Sequence, residues 1–222
     1  EFNPIINNIY NKIYLTNLTG TQDTFDLKIV SSVSNDTEAS SIAFDYIVDP
    51  VTTTYTYAGV TQASGPHDAY GADLDAWPPF DGLGTISGNT NIPFTELTNA
   101  QYIAVSTSDN SRYLVPDPGN GDFPFFWSVI NISQPKSQIT NMGFLFEGYP
   151  NVAGTISIYL FNNTANAWNT VALASAAFGT ADQNLSGTVS SGISDYINDS
   201  GILRWGVYSA VVTEGLYVDF VR

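Results

Sequence analysis

The sequence contains no cysteine, one methionine, one histidine and six basic residues among its 222. Without cysteine, the chain has neither a disulfide framework nor a thiol nucleophile. The lone histidine, His67, cannot form a zinc site alone, because such a site needs three or four ligands. No run of about 18 apolar residues occurs, which argues against a membrane-spanning helix. Disulfide chemistry, zinc binding and membrane insertion are therefore not expected.

Acidic residues greatly outnumber basic ones. The chain has 21 Asp and Glu against six Lys and Arg, a formal charge of -15 at pH 7. Such a surface repels nucleic-acid backbones and anionic lipids, so we exclude nucleic acid as a partner. The same field attracts divalent cations and tolerates neutral sugars. Charged residues make up 12% of the chain, about half the usual share, and Asn, Thr, Ser and Gly fill the polar positions.

The length fits one large β domain, and about 70% of the unfolded surface would be buried on folding. We expect an N-terminal extended segment over residues 1–22 and a single domain over residues 23–222. The low charge and absent cysteine favour an extracellular or cell-surface protein. Because the chain does not begin with methionine, we expect a processed or excised product.

Alternation with a period of two dominates the chain and predicts half-buried antiparallel strands. The N-terminal runs are "TFDLKIV" and "SIAFDYIV", and the later ones are "TISIYLF", "GILRWGVYSA" and "GLYVDFVR". The inward positions predicted for the last three runs are Ile156, Ile158 and Leu160; Leu203, Trp205 and Val207; and Leu216, Val218 and Phe220.

Other segments complete the predicted architecture. "VTTTYTY" at 51–57 predicts a strand, and "FPFFWSVINI" at 123–132, apolar on both faces, predicts a central one with Pro124 near its start. "LASAAF" at 173–178 and "ISDYI" at 193–197 predict about one helical turn each, and 61–99 predicts long loops. The expected fold is all-β: an antiparallel two-sheet β-sandwich, jelly-roll-like, with an N-terminal extended strand segment.

From about residue 99 onward, the chain resembles a jelly-roll, galactose-binding-like domain of archaeal and bacterial secreted and cell-surface proteins. The resemblance rests on "ITNMGFLFEGYPNVAGTISIYLFNNTANAW" and on the closing "VSSGISDYINDSGILRWGVYSAVVTEGLYVDFVR". It implies a secreted β-sandwich with a structural or carbohydrate-contacting role. It brings no catalytic residues with it.

The N-terminal segment "NPIINNIYNKIYLTNLTG" places apolar residues between asparagines. It predicts one or two strands, which pair either within the molecule or with a neighbouring copy, because an extended apolar strand can complete either sheet. If residues 3–18 dock on the next subunit, the contact does not close on itself and gives a filament. The residues expected to make this assembly contact are Ile5, Ile6, Ile9, Ile13 and Leu15.

The stretch "HDAYGADLDAWPPFDG" at 67–82 carries the histidine, four aspartates and a tryptophan. We interpret it as a proline-braced loop. A glycosidase needs two carboxyl groups on a rigid frame, and no serine lies in a Gly-x-Ser-x-Gly elbow. We therefore expect that the protein is not an enzyme.

Calcium binding is the alternative for the acidic loops, since hard oxygen ligands in turn-rich segments suit that ion. The simpler interpretation is that these side chains cap turns, and no cofactor is required. The candidate ligands are Asp73 and Asp75 in the first loop and Asp117, Asn120 and Asp122 in the second.

Carbohydrate binding would use exposed aromatic faces. Trp77, flanked by prolines, is the first candidate, followed by Tyr70 and Trp168, whereas Trp127 and Trp205 are expected to pack in the sheets. In a secreted protein, Asn-x-Ser/Thr sequons can carry glycans, although a chain so rich in asparagine also contains such sequons by chance. The sequons occur at Asn17, Asn35, Asn131, Asn162, Asn184 and Asn198.

Two functions of different kinds follow. The first is a non-enzymatic extracellular structural protein, a subunit of a cell-surface filament or layer assembled as a homopolymer through its N-terminal strand. The alternative is a carbohydrate-binding or adhesion module of a secreted protein.

Overall fold

The computed structural model describes residues 51–63, 67–74, 95–115, 123–210 and 215–222, with the backbone alone at Asp73, Leu74 and Thr95. All of these residues belong to the unit Val51–Arg222. The predicted boundary after residue 22 and the strands predicted in the first 50 residues lie outside this part. In the described part of the chain, no helix has the length and apolarity needed to cross a membrane.

The described elements are mostly strands. In chain order they are β1 (His67–Leu74), β2 (Thr95–Glu96), α1 (Asn99–Ala104), β3 (Tyr113–Val115), β4 (Phe123–Asn131), β5 (Met142–Pro150), β6 (Gly154–Asn162), β7 (Ala167–Trp168), β8 (Ala174–Phe178), β9 (Gln183–Val189), β10 (Ile202–Ser209) and β11 (Leu216–Val221). Short 3-10 turns lie at Lys136–Gln138 and Ile193–Asp195.

The strands form two antiparallel sheets, which confirms the predicted all-β sandwich. The larger sheet has the order β2-β1-β4-β10-β6-β7, with β8 also paired to β6, and the smaller has the order β3-β11-β5-β9. From β3 onward the pairings are nested: β3 pairs with β11, β4 with β10, β5 with β9 and β6 with β8. From β3 onward, strands that come early in the chain therefore pair with strands that come late in it.

The main core lies between the two sheets. Alternate residues of the larger sheet, including Phe126, Ile158 and Val207, pack against Phe146 and Val218 of the smaller. The inward positions predicted for β6 and β10 are confirmed, since Ile156, Ile158, Leu160, Leu203, Trp205 and Val207 are all buried. β4 is central, between β1 and β10, as its two apolar faces predict, and Pro124 is its second residue.

A second apolar layer covers the opposite face of the larger sheet. Its buried members come from β1, β4, β6, β7 and β10, and they interlock largely through edge-to-face ring contacts. We call it the outer aromatic layer; it comprises Ala72, Phe125, Tyr159, Phe161, Trp168 and Tyr208. The larger sheet is therefore buried on both faces over much of its area.

The end of β11 corrects one prediction. The pairing of β11 with β5 shifts register between Val218 and Phe220, and this bulge changes which side chains face inward. Val221 is fully buried in the core, whereas Phe220 is half-buried. Phe220 was expected inside because strict alternation from Leu216 would place it there.

Three further predictions were wrong. Residues 51–57 form no strand; Tyr57 instead donates a hydrogen bond from its hydroxyl to the Asp68 carbonyl at 3.1 Å. Residues 67–74, expected in a loop, form β1 because they pair with β4 along their whole length. Residues 174–178, expected as a helical turn, form β8 because pairing with β6 overrides the helix propensity of alanine.

Candidate functional site

Two aromatic rings stack on the outer face of the larger sheet. Tyr70 of β1 and Trp127 of β4 are paired in register, and their ring centroids lie 4.8 Å apart with an interplanar angle of 25°. Both rings are half-buried, and Trp127 meets Trp168 edge to face at 6.3 Å. The stacked pair therefore borders the outer aromatic layer while keeping part of its surface in solvent.

A row of three side chains with a charged residue at each end runs beside the stacked rings. Asp68 is paired with Val129, and Val129 with Arg204, so these three residues cross the same face on β1, β4 and β10. At the usual strand spacing, the backbones of Asp68 and Arg204 lie about 10 Å apart. We call these three residues, together with Tyr70 and Trp127, the β1–β10 surface.

Arg204 is held on this surface by two contacts. Its guanidinium lies over the Phe161 ring, 5.5 Å from the centroid, and donates a hydrogen bond to Asn163 Oδ1 at 3.2 Å. Asn163 is itself fixed, because its Nδ2 donates to the Tyr196 carbonyl at 2.5 Å. Burial lowers the pKa of Arg204, but the group remains charged. The surface thus presents an oriented cation beside aromatic rings.

Asp68 supplies the acceptor at the other end of the row. Burial, and after it the charge of Glu96, raises the pKa of Asp68. The Tyr70 hydroxyl lies 3.5 Å from Asp68 Oδ2, at the limit of a hydrogen bond. Asp68 therefore retains capacity to accept hydrogen bonds from a ligand.

Glu96, the neighbouring carboxylate, is occupied by structural contacts. Its Oε1 accepts hydrogen bonds from the Tyr102 hydroxyl at 3.0 Å and from the Ala63 N–H at 2.9 Å. The Tyr102 hydroxyl also accepts from the Ala69 N–H at 2.9 Å, and burial raises the pKa of Tyr102. Glu96 thus ties α1 to β1 and to the turn before it.

His67 also has a structural position. Its Nδ1 accepts a hydrogen bond from the Asn131 N–H at 3.2 Å, and the Tyr55 ring meets it edge-on at 5.3 Å. This contact fixes the ring at the junction of β1 and β4.

The sequence-predicted sugar residues are only partly brought together. Tyr70 lies on the β1–β10 surface, but Trp168 is 2% exposed, so the prediction that it presents an open ring is wrong. Trp77 lies outside the described residues. Sequence reasoning missed Arg204 and assigned Trp127 to packing. The signal that points to Trp127 is the apolar character of both faces of 123–132, which indicates a second covered face.

No group of three or more potential metal ligands occurs among the described histidine, aspartate and glutamate residues. Of the predicted calcium ligands, Asp73 is described in its backbone alone, within β1. Asp75, Asp117, Asn120 and Asp122 lie outside the described residues. Calcium binding by these loops stays a prediction.

Two long edge strands lie side by side. Among the described strands, β8 pairs with β6 alone and β9 with β5 alone, and the two edges contact each other. β9 has seven residues, "QNLSGTV", with no charge and no proline. The opposite edges are short: β3 has three residues and β2 has two. Short edge strands resist pairing with another chain, whereas a long uncharged one invites it.

The sequons fall into distinct settings. Asn131 and Asn184 are exposed, whereas Asn162 and Asn198 are half-buried. Asn17 and Asn35, like the predicted assembly residues Ile5, Ile6, Ile9, Ile13 and Leu15, lie outside the described residues.

Fold and surface together define an antiparallel two-sheet β-sandwich with an aromatic outer face. The chain belongs to the family AF_1625_C, described as "Uncharacterized protein, C-terminal domain", which matches residues 79–210. A comparison with curated proteins finds no match.

One solved structure is similar to part of the chain. It is a glycoside hydrolase family 43 arabinoxylan arabinofuranohydrolase from Bacillus subtilis in complex with cellotetraose, with 11% identity and a TM-score of 0.25. The match covers 61% of this chain and 30% of that enzyme, so the chain spans less than a third of the enzyme's length.

Proposed function

We propose that the chain is a non-enzymatic structural subunit of an extracellular assembly, and that β9 accepts an extended strand from a neighbouring copy. The observation that supports this most is the edge character of β9. Its buried side chains, Leu185 and Val189, anchor it in the sandwich, while its backbone has a described partner on one side. Its second side offers N–H and C=O groups to an incoming strand.

The proposed donor is the N-terminal segment of the next copy. In an extended strand, Ile5, Ile9, Ile13 and Leu15 share one face with Asn7 and Asn11, so that face is uncharged and partly apolar. Ladder hydrogen bonds would supply affinity, and the apolar side chains would supply register. Because donor and acceptor are different surfaces, the contact is heterologous and propagates as a filament.

The nested pairing of strands supports the finer prediction of a jelly-roll sandwich. That architecture brings consecutive strands of opposite sheets together at one side, where β8 and β9 lie. The polar but weakly charged composition and the sequons support an extracellular location. The proposal requires no cofactor.

Deleting residues 1–18 tests the proposal. Every described strand comes from residues 67–221, so the shortened chain should fold but sediment as a monomer. A synthetic peptide of residues 1–22 should then bind it in one-to-one ratio. A shortened chain that still forms polymers, or a folded one that fails to bind the peptide, would rule out strand donation by this segment.

Carbohydrate binding is a second candidate, supported by the β1–β10 surface. Stacked rings flanked by a fixed guanidinium and a carboxylate offer apolar contact for the C–H face of a sugar and hydrogen bonds for its hydroxyls. This function is compatible with assembly, because the surface lies on the larger sheet and β9 belongs to the smaller.

A further inference from the structure

The two exposed sequons share one local geometry. In each, the asparagine and the hydroxyl residue two positions later are exposed, and the residue between them is buried: Ile132 between Asn131 and Ser133, and Leu185 between Asn184 and Ser186. Residues at positions i and i+2 of an extended chain face the same side. Both sequons therefore present the asparagine side chain to solvent, and the Ser133 hydroxyl also makes long contacts of 3.4 Å with the Tyr55 hydroxyl and with Gln134 Oε1.

In the other two described sequons, side chains of the sequon make hydrogen bonds within turns. Asn162 Oδ1 accepts from the Ala165 N–H at 2.8 Å, and the Thr164 hydroxyl of the same sequon donates to Asp195 Oδ1 at 2.9 Å. Asn198 Oδ1 accepts from the N–H groups of Ser200 at 2.9 Å and Ile202 at 2.8 Å. A glycan on either amide would have to be accommodated in a half-buried, hydrogen-bonded turn.

We propose that Asn131 and Asn184 carry N-linked glycans and that Asn162 and Asn198 do not. The inference rests on the proposed extracellular location, because sequons are modified in exported chains. The six sequons are equivalent as sequence motifs. The inference adds to that proposal by selecting, among the described sequons, the two whose asparagine side chains are exposed.

The chemistry requires an activated sugar supplied by the cell. The amide Nδ2 forms a bond to the anomeric carbon of a glycosyl phosphate donor, while the bond from that carbon to the phosphate oxygen breaks. The phosphate leaves with the bonding electron pair and Nδ2 loses one proton, so no oxidant or reductant is involved. The host glycosyltransferase supplies catalysis, and this chain supplies the acceptor.

A glycan at Asn184 leaves the edge of β9 free. Asn184 is paired with Glu147 of β5, and both side chains project from the outer face of the smaller sheet. The ladder groups of β9 lie in the plane of the sheet, roughly perpendicular to that projection. A sugar there would cover the outer face beside the edge and stay compatible with strand addition.

Peptide mass spectrometry of the chain isolated from its source tests the inference. Asn131 and Asn184 should carry glycan, and Asn162 and Asn198 should be unmodified. Expressed in the same source, Ser133→Ala and Ser186→Ala variants should each lose the mass of one glycan. The matched control is Ser200→Ala, which removes the hydroxyl of the Asn198 sequon and should leave the mass of the glycans unchanged.

Unmodified Asn131 and Asn184, or glycan at Asn162 or Asn198, would overturn the assignment. This outcome is separable from the assembly proposal, since unglycosylated recombinant chain can be tested for polymer formation directly. A glycosylated chain that stays monomeric would contradict assembly and leave the assignment of the sequons standing.

Discussion

Asp219 of β11 accepts a hydrogen bond from the backbone N–H of Asn110 at 3.3 Å, across a sequence separation of 109 residues. The carboxylate is 1% exposed, and its other oxygen, Oδ1, has no hydrogen-bond partner among the described residues. The bulge that follows Val218 is what brings Asp219 inside. The Asp219 side chain therefore holds the turn before β3 against the final strand, and this contact requires burial of a carboxyl group.

This burial predicts a pH dependence of stability. Burial, and to a lesser degree the charges of Glu147 and Asp182, raises the pKa of Asp219, although the Asn110 N–H opposes the shift. The folded state then holds the proton more tightly than the unfolded chain, whose aspartates titrate at about pH 3.9. The contribution of Asp219 to the free energy of unfolding is therefore fully present below that pH and is lost as pH rises through the folded pKa.

Urea unfolding between about pH 3 and pH 7 measures this effect. In Asp219→Asn the free energy of unfolding should fall less with pH than in the parent chain, because this contribution is lost, whereas the raised pKa of Asp68 contributes in the same sense in both chains. Asp109→Asn is the contrasting variant: backbone and side-chain hydrogen bonds lower the pKa of that exposed group, so its removal should make the fall steeper. Parallel pH curves for parent and Asp219→Asn would contradict this account.

The outer aromatic layer predicts a steric effect at Gly206. A Cβ at this position would lie 2.3 Å from Cζ of Phe125, whereas one at Gly143 would meet nothing within 4 Å. Gly206→Ala should therefore lower the free energy of unfolding by about 1–3 kcal/mol, through overpacking. Gly143→Ala, the control, should change it by less than about 1 kcal/mol.

A double variant checks that Phe125 is the cause. Combining Gly206→Ala with Phe125→Leu should cost less than the sum of the two single changes, because the shorter side chain makes room for the methyl group. Strict additivity of the two denaturation measurements would show that the ring is not what Gly206 accommodates.

Polysaccharide retention tests the β1–β10 surface. Tyr70→Ala should weaken retention in affinity electrophoresis by about ten-fold, the effect expected of a central aromatic contact. Tyr217→Ala is a matched control, since Tyr149 and Tyr217 stack with the same 4.8 Å separation on the other sheet. Equal retention of Tyr70→Ala and the parent, or loss with Tyr217→Ala instead, would remove sugar binding from this surface.

The sandwich and most of its inner face could be predicted because alternation is a local signal. The inward residues of β6 and β10 were identified correctly from the period of two, although outward residues such as Tyr159 and Tyr208 are buried as well. The bulge of β11 gave no local signal, and a shift of one residue is enough to exchange Phe220 for Val221. The start of α1, in contrast, does have a local sequence signal, which the prediction of loops over 61–99 overlooked. Thr98 and Gln101 form a capping box, in which the Thr98 N–H donates to Gln101 Oε1 at 2.8 Å.

The candidate site was harder to predict because its residues are brought together by the pairing register of β1 with β4. β1 reads "HDAYGADL", with the glycine and aspartates of a loop, and it becomes a strand because β4 pairs with it. Tyr70 meets Trp127 through that pairing, although 57 positions separate them in the chain. Composition suggested aromatic recognition, while the identity of the partners depended on tertiary pairing.

The most direct measurement of the central claim compares Thr188→Lys with Gly143→Lys. Thr188 lies on β9 and Gly143 is its register partner on β5, so the same charge is placed on the edge strand or one strand further in. A lysine on an edge disfavours an added strand. Each variant is made in the chain lacking residues 1–18 and titrated with the peptide of residues 1–22. We expect Thr188→Lys to weaken peptide binding about five-fold, or about 1 kcal/mol, and Gly143→Lys to weaken it less. Equal affinities for both variants and the parent would contradict strand addition at β9.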